Sequence, residues 1–363
     1  MLLDSAKIQE EDAAYLNQKS TRNTQVAIRP LYTQDDALGT IKLFEPIEYR
    51  QPTDMGGFTL EFRDAGHILG SAAMALTETA TGKTLVFTGD VGRPHSPVIR
   101  DPDPFTHADL LISECTYGGK RHDPIEQVPI QLAKIVNETV AAGGVMIMPA
   151  FALGRTQSIV QVLNSLREQK KIPAWLPVYV DSPLASRVTD VFRDFEFLMD
   201  DETRNMLKPF DFPNLLYVPT PQQSMKLNDL THPAIIIASS GMCEAGRVLH
   251  HLKHHIRQTN TTVLLPGFQA ENTLGRKIQD HWKEVPILGD LVPLNARVEC
   301  MTGLSAHGDG KELIDYCTPL KSPTLQTFLV HGEDPSALAH QSALKAAGFA
   351  NVSIASRGDS ITI

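Results

Sequence analysis

Five side chains that can bind a metal or move a proton stand directly after short apolar runs of the chain. They are His67, Asp90, Glu114, His307 and His331. Short apolar runs bounded by glycine-containing turns predict buried strands, and the residues that follow them lie at the edge of a sheet. We expect both carboxylates to be presented there rather than buried, because an unpaired buried carboxylate costs several kcal/mol.

These side-chain types suit one particular chemistry. Neutral imidazoles and carboxylates are ligands that zinc takes in catalytic sites, and a carboxylate between two ions can bridge them. If the strand ends converge, the five groups would form a single site. A structural interpretation competes with the metal site. A lone histidine in a strand turn is more often structural, and acidic residues are common in solvated turns. The residues alone leave both interpretations open.

Length and composition indicate a folded, acidic protein. The 363 residues, 42% of them apolar, can bury a sizeable core and suggest roughly two domains. The formal net charge of -9 gives no overall basic field, so any contact with nucleic acid must rest on local groups or on metal. Four cysteines without CxxC spacing argue against a zinc ribbon or a disulfide framework and favour a cytoplasmic protein. No apolar run approaches the ~18 residues of a membrane span, so we expect no membrane partner.

The pattern of apolar residues changes along the chain. It predicts a helix over residues 1–20, strand-like material over residues 57–79, and further strands over residues 84–90 and 109–114. After Tyr117, helices alternate with continuous apolar strands, which indicates βαβ units on a parallel sheet. Strands with polar tips return near the end of the chain.

Two turns in the alternating region have the form of anion sites. In each, a buried strand leads into a turn of small residues and then into a helix, whose free backbone N–H groups and dipole favour negative charge. The phosphate-binding candidates in these turns are Arg155, Gln157, Ser239, Ser240, Gly241 and Arg247. Such turns are common in α/β folds, so either one alone is weak evidence.

One histidine cluster has the spacing of a metal site. The residues are His250, His251, His254 and His255, which form two i,i+4 pairs on a predicted helix. No carboxylate completes a site with them. We therefore favour a solvated polar helix face over a metal site for this cluster.

Eight motifs occur in a specific order: AGHILGSA, FTGDVGR, SECTYG, PAFALGRTQ, DSPLA, SSGMCEAGR, LSAHGDG and LVHGE. In this order they resemble the motifs of the metallo-β-lactamase-fold nucleases with an inserted β-CASP domain, which include the RNA 3′-end-processing endonuclease. The resemblance covers nearly all of the chain. It implies an α/β fold, namely a metallo-β-lactamase αββα sandwich, incomplete at its N-terminus, with an inserted β-CASP α/β domain. The expected parts are residues 1–118, the β-CASP domain 119–304, and the C-terminal lactamase-type part 305–363.

The resemblance also implies a role for each strand-end residue. The family reaction is zinc-dependent hydrolysis of RNA phosphodiester bonds, with two zinc ions per site and single-stranded RNA as partner. His67 would bind one zinc, Asp90 would bridge both, and His331 would bind the second. His307 would protonate the leaving oxygen, and Glu114 would hold and tune it.

The chain departs from the family at its densest metal motif. HxHxDH, which lies upstream of the first helix in the family, occurs nowhere among the thirteen histidines. Its absence removes two ligands of each zinc, so we expect a truncated chain with an incomplete ligand set, whose family activity belongs to a longer parent.

Other functions remain open beside this nuclease hypothesis. One is a non-catalytic RNA-binding or scaffold protein, and another is a metallo-hydrolase acting on DNA or on a small phosphodiester. A lactamase-like or thioesterase-like enzyme is disfavoured, because it would leave the long insert between Glu114 and His307 unexplained. A homodimer is compatible with each alternative.

Overall fold

The computed structural model of the chain describes residues 1–19 and 27–361. They fall into two compact units, Met1–Glu48 and Tyr49–Ile363. The predicted mixed α/β class is confirmed by the helices and sheets of the second unit. None of the described helices combines the length and apolar character that crossing a membrane requires.

The elements are numbered in chain order. The helices are α1 (Leu2–Lys19), α2 (Gln34–Ile41), α3 (Val128–Ala141), α4 (Arg155–Glu168), α5 (Pro183–Asp194), α6 (Asp201–Asn205), α7 (Pro221–Lys226), α8 (Val248–His255), α9 (Leu274–Gln279), α10 (Gly310–Cys317) and α11 (Asp334–Ala346). The strands are β1 (Thr53–Asp54), β2 (Phe58–Asp64), β3 (Ala72–Glu78), β4 (Thr84–Phe87), β5 (Leu110–Glu114), β6 (Val145–Pro149), β7 (Val178–Asp181), β8 (Leu215–Tyr217), β9 (Ala234–Ala238), β10 (Thr262–Leu265), β11 (Glu284–Ile287), β12 (Asp290–Pro293), β13 (Arg297–Cys300), β14 (Gln326–Val330) and β15 (Asn351–Ile354).

The first unit is a helical pair. Helix α1 matches the predicted N-terminal helix. Helix α2 begins at a capping box, in which the Thr33 side chain accepts from the backbone N–H of Asp36 and the Asp36 carboxylate accepts from the backbone N–H of Thr33. This reciprocal cap satisfies N–H groups that the first helical turn would otherwise leave without a partner.

The first sheet of the second unit joins distant parts of the chain. Its seven strands lie in the order β1-β2-β3-β4-β5-β14-β15. Strands β1 to β4 pair antiparallel, whereas β4, β5, β14 and β15 pair parallel. Strands β2, β4, β5 and β14 therefore run in the same direction, and the turns that follow them lie at one edge of the sheet.

The second sheet contains only strands between residues 145 and 300. Its order is β13-β10-β6-β9-β7-β8, and all neighbours pair parallel. Every residue of β6 and β9 is buried, because helices cover both faces of a parallel sheet. The predicted βαβ units are thus confirmed, and β11 with β12 forms a separate antiparallel hairpin.

Candidate active site

Four of the five strand-end residues lie at one edge of the first sheet. His67 follows β2, Asp90 follows β4, Glu114 ends β5 and His331 follows β14. His307 belongs to the loop before α10, and its backbone forms an antiparallel bridge with Gly92. The loop that enters from the second sheet is thus held against the turn after β4, which brings all five residues together.

One metal-sized cluster results. Ligand atoms of His67, Asp90 and His307 all lie within 4.8 Å of one another, and within residues 1–19 and 27–361 no other group of three or more such residues does so. The Asp90 carboxylate is central, because His67 Nε2 lies 3.9 Å from its Oδ2 and His331 Nδ1 lies 3.2 Å from its Oδ1. The structure therefore groups His307 with two of the three expected ligands and leaves the third, His331, at the rim, where its side chain is 58% exposed.

Glu114 is buried, contrary to the expectation that both carboxylates are presented. It is 1% exposed, whereas the Asp90 side chain is 40% exposed. Its two oxygens lie 3.1 and 3.0 Å from His307 Nδ1, and they also accept from the backbone N–H groups of Val91 and Thr116. The charge is tolerated because these donors replace the water that burial removes.

The pairing of Glu114 with His307 shifts the pKa of each group. Burial alone would lower the pKa of His307, but its hydrogen bond to Glu114 and the charge of Glu114 outweigh burial and hold that pKa above its ordinary value. Burial alone would raise the pKa of Glu114, but the bond from His307 and its charge hold the pKa below the usual range. Each partner thus favours the charged form of the other, and His307 Nε2 is the remaining ring nitrogen.

His67 has the opposite character. Burial, followed by the charge of His307, lowers the pKa of His67 to about 4, so its ring is neutral near pH 7. Its Nδ1 atom is buried and has no hydrogen-bond partner among the residues that the structure describes. Its other nitrogen, Nε2, faces Asp90, and a neutral imidazole can bind a metal ion through that atom.

The backbone places His331 at the rim. Its φ of 53° lies in the left-handed region, which non-glycine residues adopt rarely. The Thr116 hydroxyl donates to the His331 carbonyl at 3.0 Å and lies 3.3 Å from its Nδ1. Residues in such conformations are held by their surroundings and concentrate at functional sites.

The first predicted anion turn contributes one open cation. The Arg155 side chain makes no hydrogen bond or ion pair with any described residue, and burial lowers its pKa to about 10. Gln157 instead points into the protein, is 1% exposed and donates to the Ala152 and Ala185 carbonyls and to Thr189. This geometry favours a structural role for Gln157 over the predicted contact with phosphate.

The second predicted anion turn is largely satisfied internally. Arg247 donates to Asp181 and to the Val218 and Pro219 carbonyls, which occupies its guanidinium. The Ser240 hydroxyl accepts from the backbone N–H groups of residues 244 and 245. The Ser239 hydroxyl donates to Ser182, and Gly241 accepts from the Gln269 amide. Ser239 and Ser240 stay partly exposed, so they remain the open positions of this turn.

The histidine cluster of α8 is neither a metal group nor a uniformly solvated face. His251 and His255 are fully buried, while His250 and His254 are exposed. His251 lies 2.6 Å from Asp181 and 2.9 Å from the Asn228 side-chain oxygen, and His255 lies 2.9 Å from the Leu227 carbonyl. The expectation of a solvated face is therefore wrong for half of the cluster, because Asp181 and Leu227 supply buried hydrogen-bond partners.

Arg93 joins the two connections between the sheets. It is 4% exposed and binds Glu312 through Nε and Nη2, at 3.0 to 3.1 Å. Its Nη1 donates to the Gly303 carbonyl at 2.8 Å and its Nη2 to the Asp123 carbonyl at 3.3 Å. The outgoing chain at residue 123 and the returning chain at residue 303 are thus fastened to one guanidinium.

His122 supports the same region. Its Nε2 lies 3.1 Å from the His307 carbonyl, and its backbone N–H donates to Asp309. Burial lowers the pKa of His122 to about 4, so the ring is neutral and can donate one N–H. His122 carried no signal in the sequence because it acts through another residue's backbone, whereas Arg93 stood inside the motif FTGDVGR without a role of its own.

Comparison with known proteins gives consistent matches. Residues 156–278 match the model of the Beta-Casp domain, and residues 291–355 match that of the Zn-dependent metallo-hydrolase RNA specificity domain. A ribonuclease of Thermus thermophilus is 32% identical over 343 residues, covering 93% of this chain and 77% of that protein. An RNase J-like protein of Methanocaldococcus jannaschii is 30% identical over 336 residues, 89% of this chain and 74% of that protein.

A further relative is longer than this chain. A transcription termination factor of Methanocaldococcus jannaschii is 32% identical over 323 residues, covering 85% of this chain and 50% of that protein. The chain thus spans about half the length of that relative.

Replacement of Arg93 tests its importance for the fold. We expect Arg93→Met to lower the free energy of unfolding by about 3 kcal/mol, because it removes the partner of the partly buried Glu312 carboxylate and of two carbonyls. Arg50→Met is the matched control, since Arg50 also binds a carboxylate, Asp103, through two nitrogens but is 69% exposed. It should cost about 1 kcal/mol or less. Urea unfolding followed by circular dichroism measures both variants, and equal losses would contradict the role of Arg93.

Proposed function

Since the chain belongs to the metallo-β-lactamase-fold β-CASP family of RNA-processing nucleases, we propose that it is a zinc-dependent hydrolase of phosphodiester bonds in single-stranded RNA. The observation that carries this proposal is the pairing of His307 with buried Glu114 directly beside the cluster around Asp90. A proton donor and a set of metal ligands then face the same open edge of the sheet. Hydrolysis of a phosphodiester needs both.

His67, Asp90 and His331 are the residues we propose as zinc ligands. The neutral ring of His67, whose Nε2 faces Asp90, and the partly exposed carboxylate of Asp90 fit an ion. His307 is less suited, because its bond to Glu114 favours the imidazolium form, which cannot ligate a metal, although it lies within the cluster. A zinc ion held there supplies charge stabilisation and an acidified water. Three residues cannot complete a site for two ions, so we propose a single ion for this chain, whose sequence lacks HxHxDH.

His307 is the proposed general acid. Its Nδ1 is occupied by Glu114, so the proton at Nε2 is available to the oxygen that leaves when the phosphodiester bond breaks. Glu114 keeps the ring protonated and fixes its orientation. His122 and Asp90 hold the loop and the ligand cluster on either side of this ring.

Arg155, Ser239 and Ser240 are the residues we propose for contact with the RNA backbone. Arg155 is supported by its lack of an internal partner, and the two serines by their exposure. Gln157, Gly241 and Arg247 then act as positioning residues of the two turns. An acidic protein can hold RNA in this way because the contact is local.

Location and assembly complete the proposal. Cys115, Cys243, Cys300 and Cys317 are all free thiols, which supports a reducing compartment and hence the cytoplasm. Assembly as a homodimer stays a prediction.

Cleavage of matched nucleic acids tests the proposed reaction. We expect the zinc-supplemented protein to cut a labelled single-stranded RNA, and a chelator or Asp90→Asn to lower the rate about 100-fold or more. Single-stranded DNA of the same sequence and an aryl phosphodiester are the competing substrates. Preference for either one would favour the alternative hydrolases, and RNA binding without cleavage would favour the scaffold protein.

The Glu114–His307 pair predicts a pH dependence. Because Glu114 holds the pKa of His307 above its ordinary value, the acid stays protonated to higher pH and is lost as pH rises through that pKa. In Glu114→Gln, burial dominates and the basic limb of the kcat profile should move to lower pH by about one unit or more. Glu333→Gln removes a carboxylate that acts on the neighbouring Tyr117 but has no hydrogen bond to His307, so it should leave the limb in place. An unmoved limb in Glu114→Gln would exclude His307 as the acid.

A further inference from the structure

Three side chains form an aromatic cluster where the two sheets approach each other. Tyr117 and Lys120 follow β5 of the first sheet, and Phe268 follows β10 of the second. The rings of Tyr117 and Phe268 meet edge to face, with centroids 5.6 Å apart at 80°. The Lys120 Nζ lies 5.7 Å from the Tyr117 centroid and 5.9 Å from that of Phe268. We call Tyr117, Lys120 and Phe268 the aromatic cluster.

The cluster stands beside the proposed acid. The ring of Tyr117 lies 6.4 Å from that of His307, and it also contacts the ring of His122 at 4.3 Å. Tyr117 is 5% exposed, so its ring is part of the protein interior and supports the other two side chains. Phe268 is partly exposed, so its ring offers an open surface near the reacting group.

Two cations flank this surface without counter-charges. Lys120 is exposed, and no carboxylate among the described residues pairs with it. Arg155 also has no hydrogen-bond or ion-pair partner among the described residues. Its guanidinium lies beside Gly267, since a Cβ built on that glycine would be 3.9 Å from Arg155 Nη2. Gly267 precedes Phe268, so this cation reaches the same place. A partly exposed ring with two unpaired cations nearby combines attraction for an anion with a surface for stacking.

We propose that the aromatic cluster is a subsite for a nucleotide of single-stranded RNA next to the bond that is cut. The base stacks on Phe268, and Lys120 together with Arg155 neutralises the adjacent phosphate. The inference rests on the proposed function, because the subsite would position the RNA substrate beside His307. The stacking is tolerant of base identity, because every base has a π-face.

Binding of RNA in the presence of chelator tests this subsite separately from cleavage. Fluorescence anisotropy of a labelled single-stranded RNA gives Kd for each variant of the full chain. We expect Phe268→Ala to weaken binding about tenfold, and Phe268→Trp to retain it, since stacking on an aromatic side chain is worth about 1–3 kcal/mol per base. Lys120→Ala, an exposed change that leaves both rings in place, should weaken binding and reduce the salt dependence by about one counterion.

A second cation–aromatic pair provides the matched control. Lys277 Nζ lies 5.6 Å from the centroid of Trp282, which is 49% exposed. Phe268 precedes α9 in the chain, whereas Trp282 follows it. Trp282→Ala removes a larger exposed ring of the same kind and should leave Kd unchanged within about twofold.

The outcomes separate the subsite from the proposed function. RNA binding that depends on Phe268 and Lys120 but leads to no cleavage when zinc is added would support the subsite and overturn the hydrolase. Cleavage with unchanged Kd in Phe268→Ala and Lys120→Ala would overturn the subsite and leave the hydrolase intact. Equal weakening by Trp282→Ala, or no RNA binding by the unmodified chain, would also overturn the subsite.

Discussion

A buried carboxylate that must remain charged organises the candidate site. Glu114 sits at the end of β5 with 1% exposure, and its charge is stable only because donors converge on it. Those donors come from three separate stretches, at Val91, Thr116 and His307. Satisfying one charge therefore brings the turn after β4 and the loop returning from the second sheet to the same strand end, which is how a residue nearly two hundred positions away joins the site.

Arg93 is a buried positive charge that, like Glu114, is satisfied by partners from distant parts of the chain. A guanidinium that is nearly inaccessible needs acceptors, and it finds them in Glu312 and in one carbonyl from each connection between the sheets. His122 then links the outgoing connection to the carbonyl of His307. The geometry of the proposed acid thus depends on buried polar groups that never contact the substrate. Such groups favour a single arrangement, because displacing the partner chain segments would leave a buried charge without its hydrogen bonds.

Much of this arrangement follows from local sequence rules, and some of it cannot. Apolar runs with polar ends predicted the strands, and the parallel direction of β4, β5 and β14 makes the ends at Asp90, Glu114 and His331 neighbours. The burial of Glu114 was not predictable, because its compensating donors come from elsewhere in the chain. The same reason applies to Arg247 and Gln157, whose side chains look free in sequence but are used by Asp181 and by α5. His251 and His255 were predicted to be solvated because their buried partners, Asp181 and Leu227, lie far from them in sequence.

Zinc content tests the central claim that the strand ends form a metal site. Elemental analysis of the purified chain should find about one zinc per chain, because ring nitrogens of His67 and His331 both lie within 4 Å of the Asp90 carboxylate and the His67 ring is neutral. His67→Asn and Asp90→Asn should each lose it, whereas His250→Asn with His254→Asn, which changes two exposed histidines of α8, should retain it. A chain without zinc, or one whose zinc survives the loss of Asp90 but not that of His250 and His254, would contradict the account.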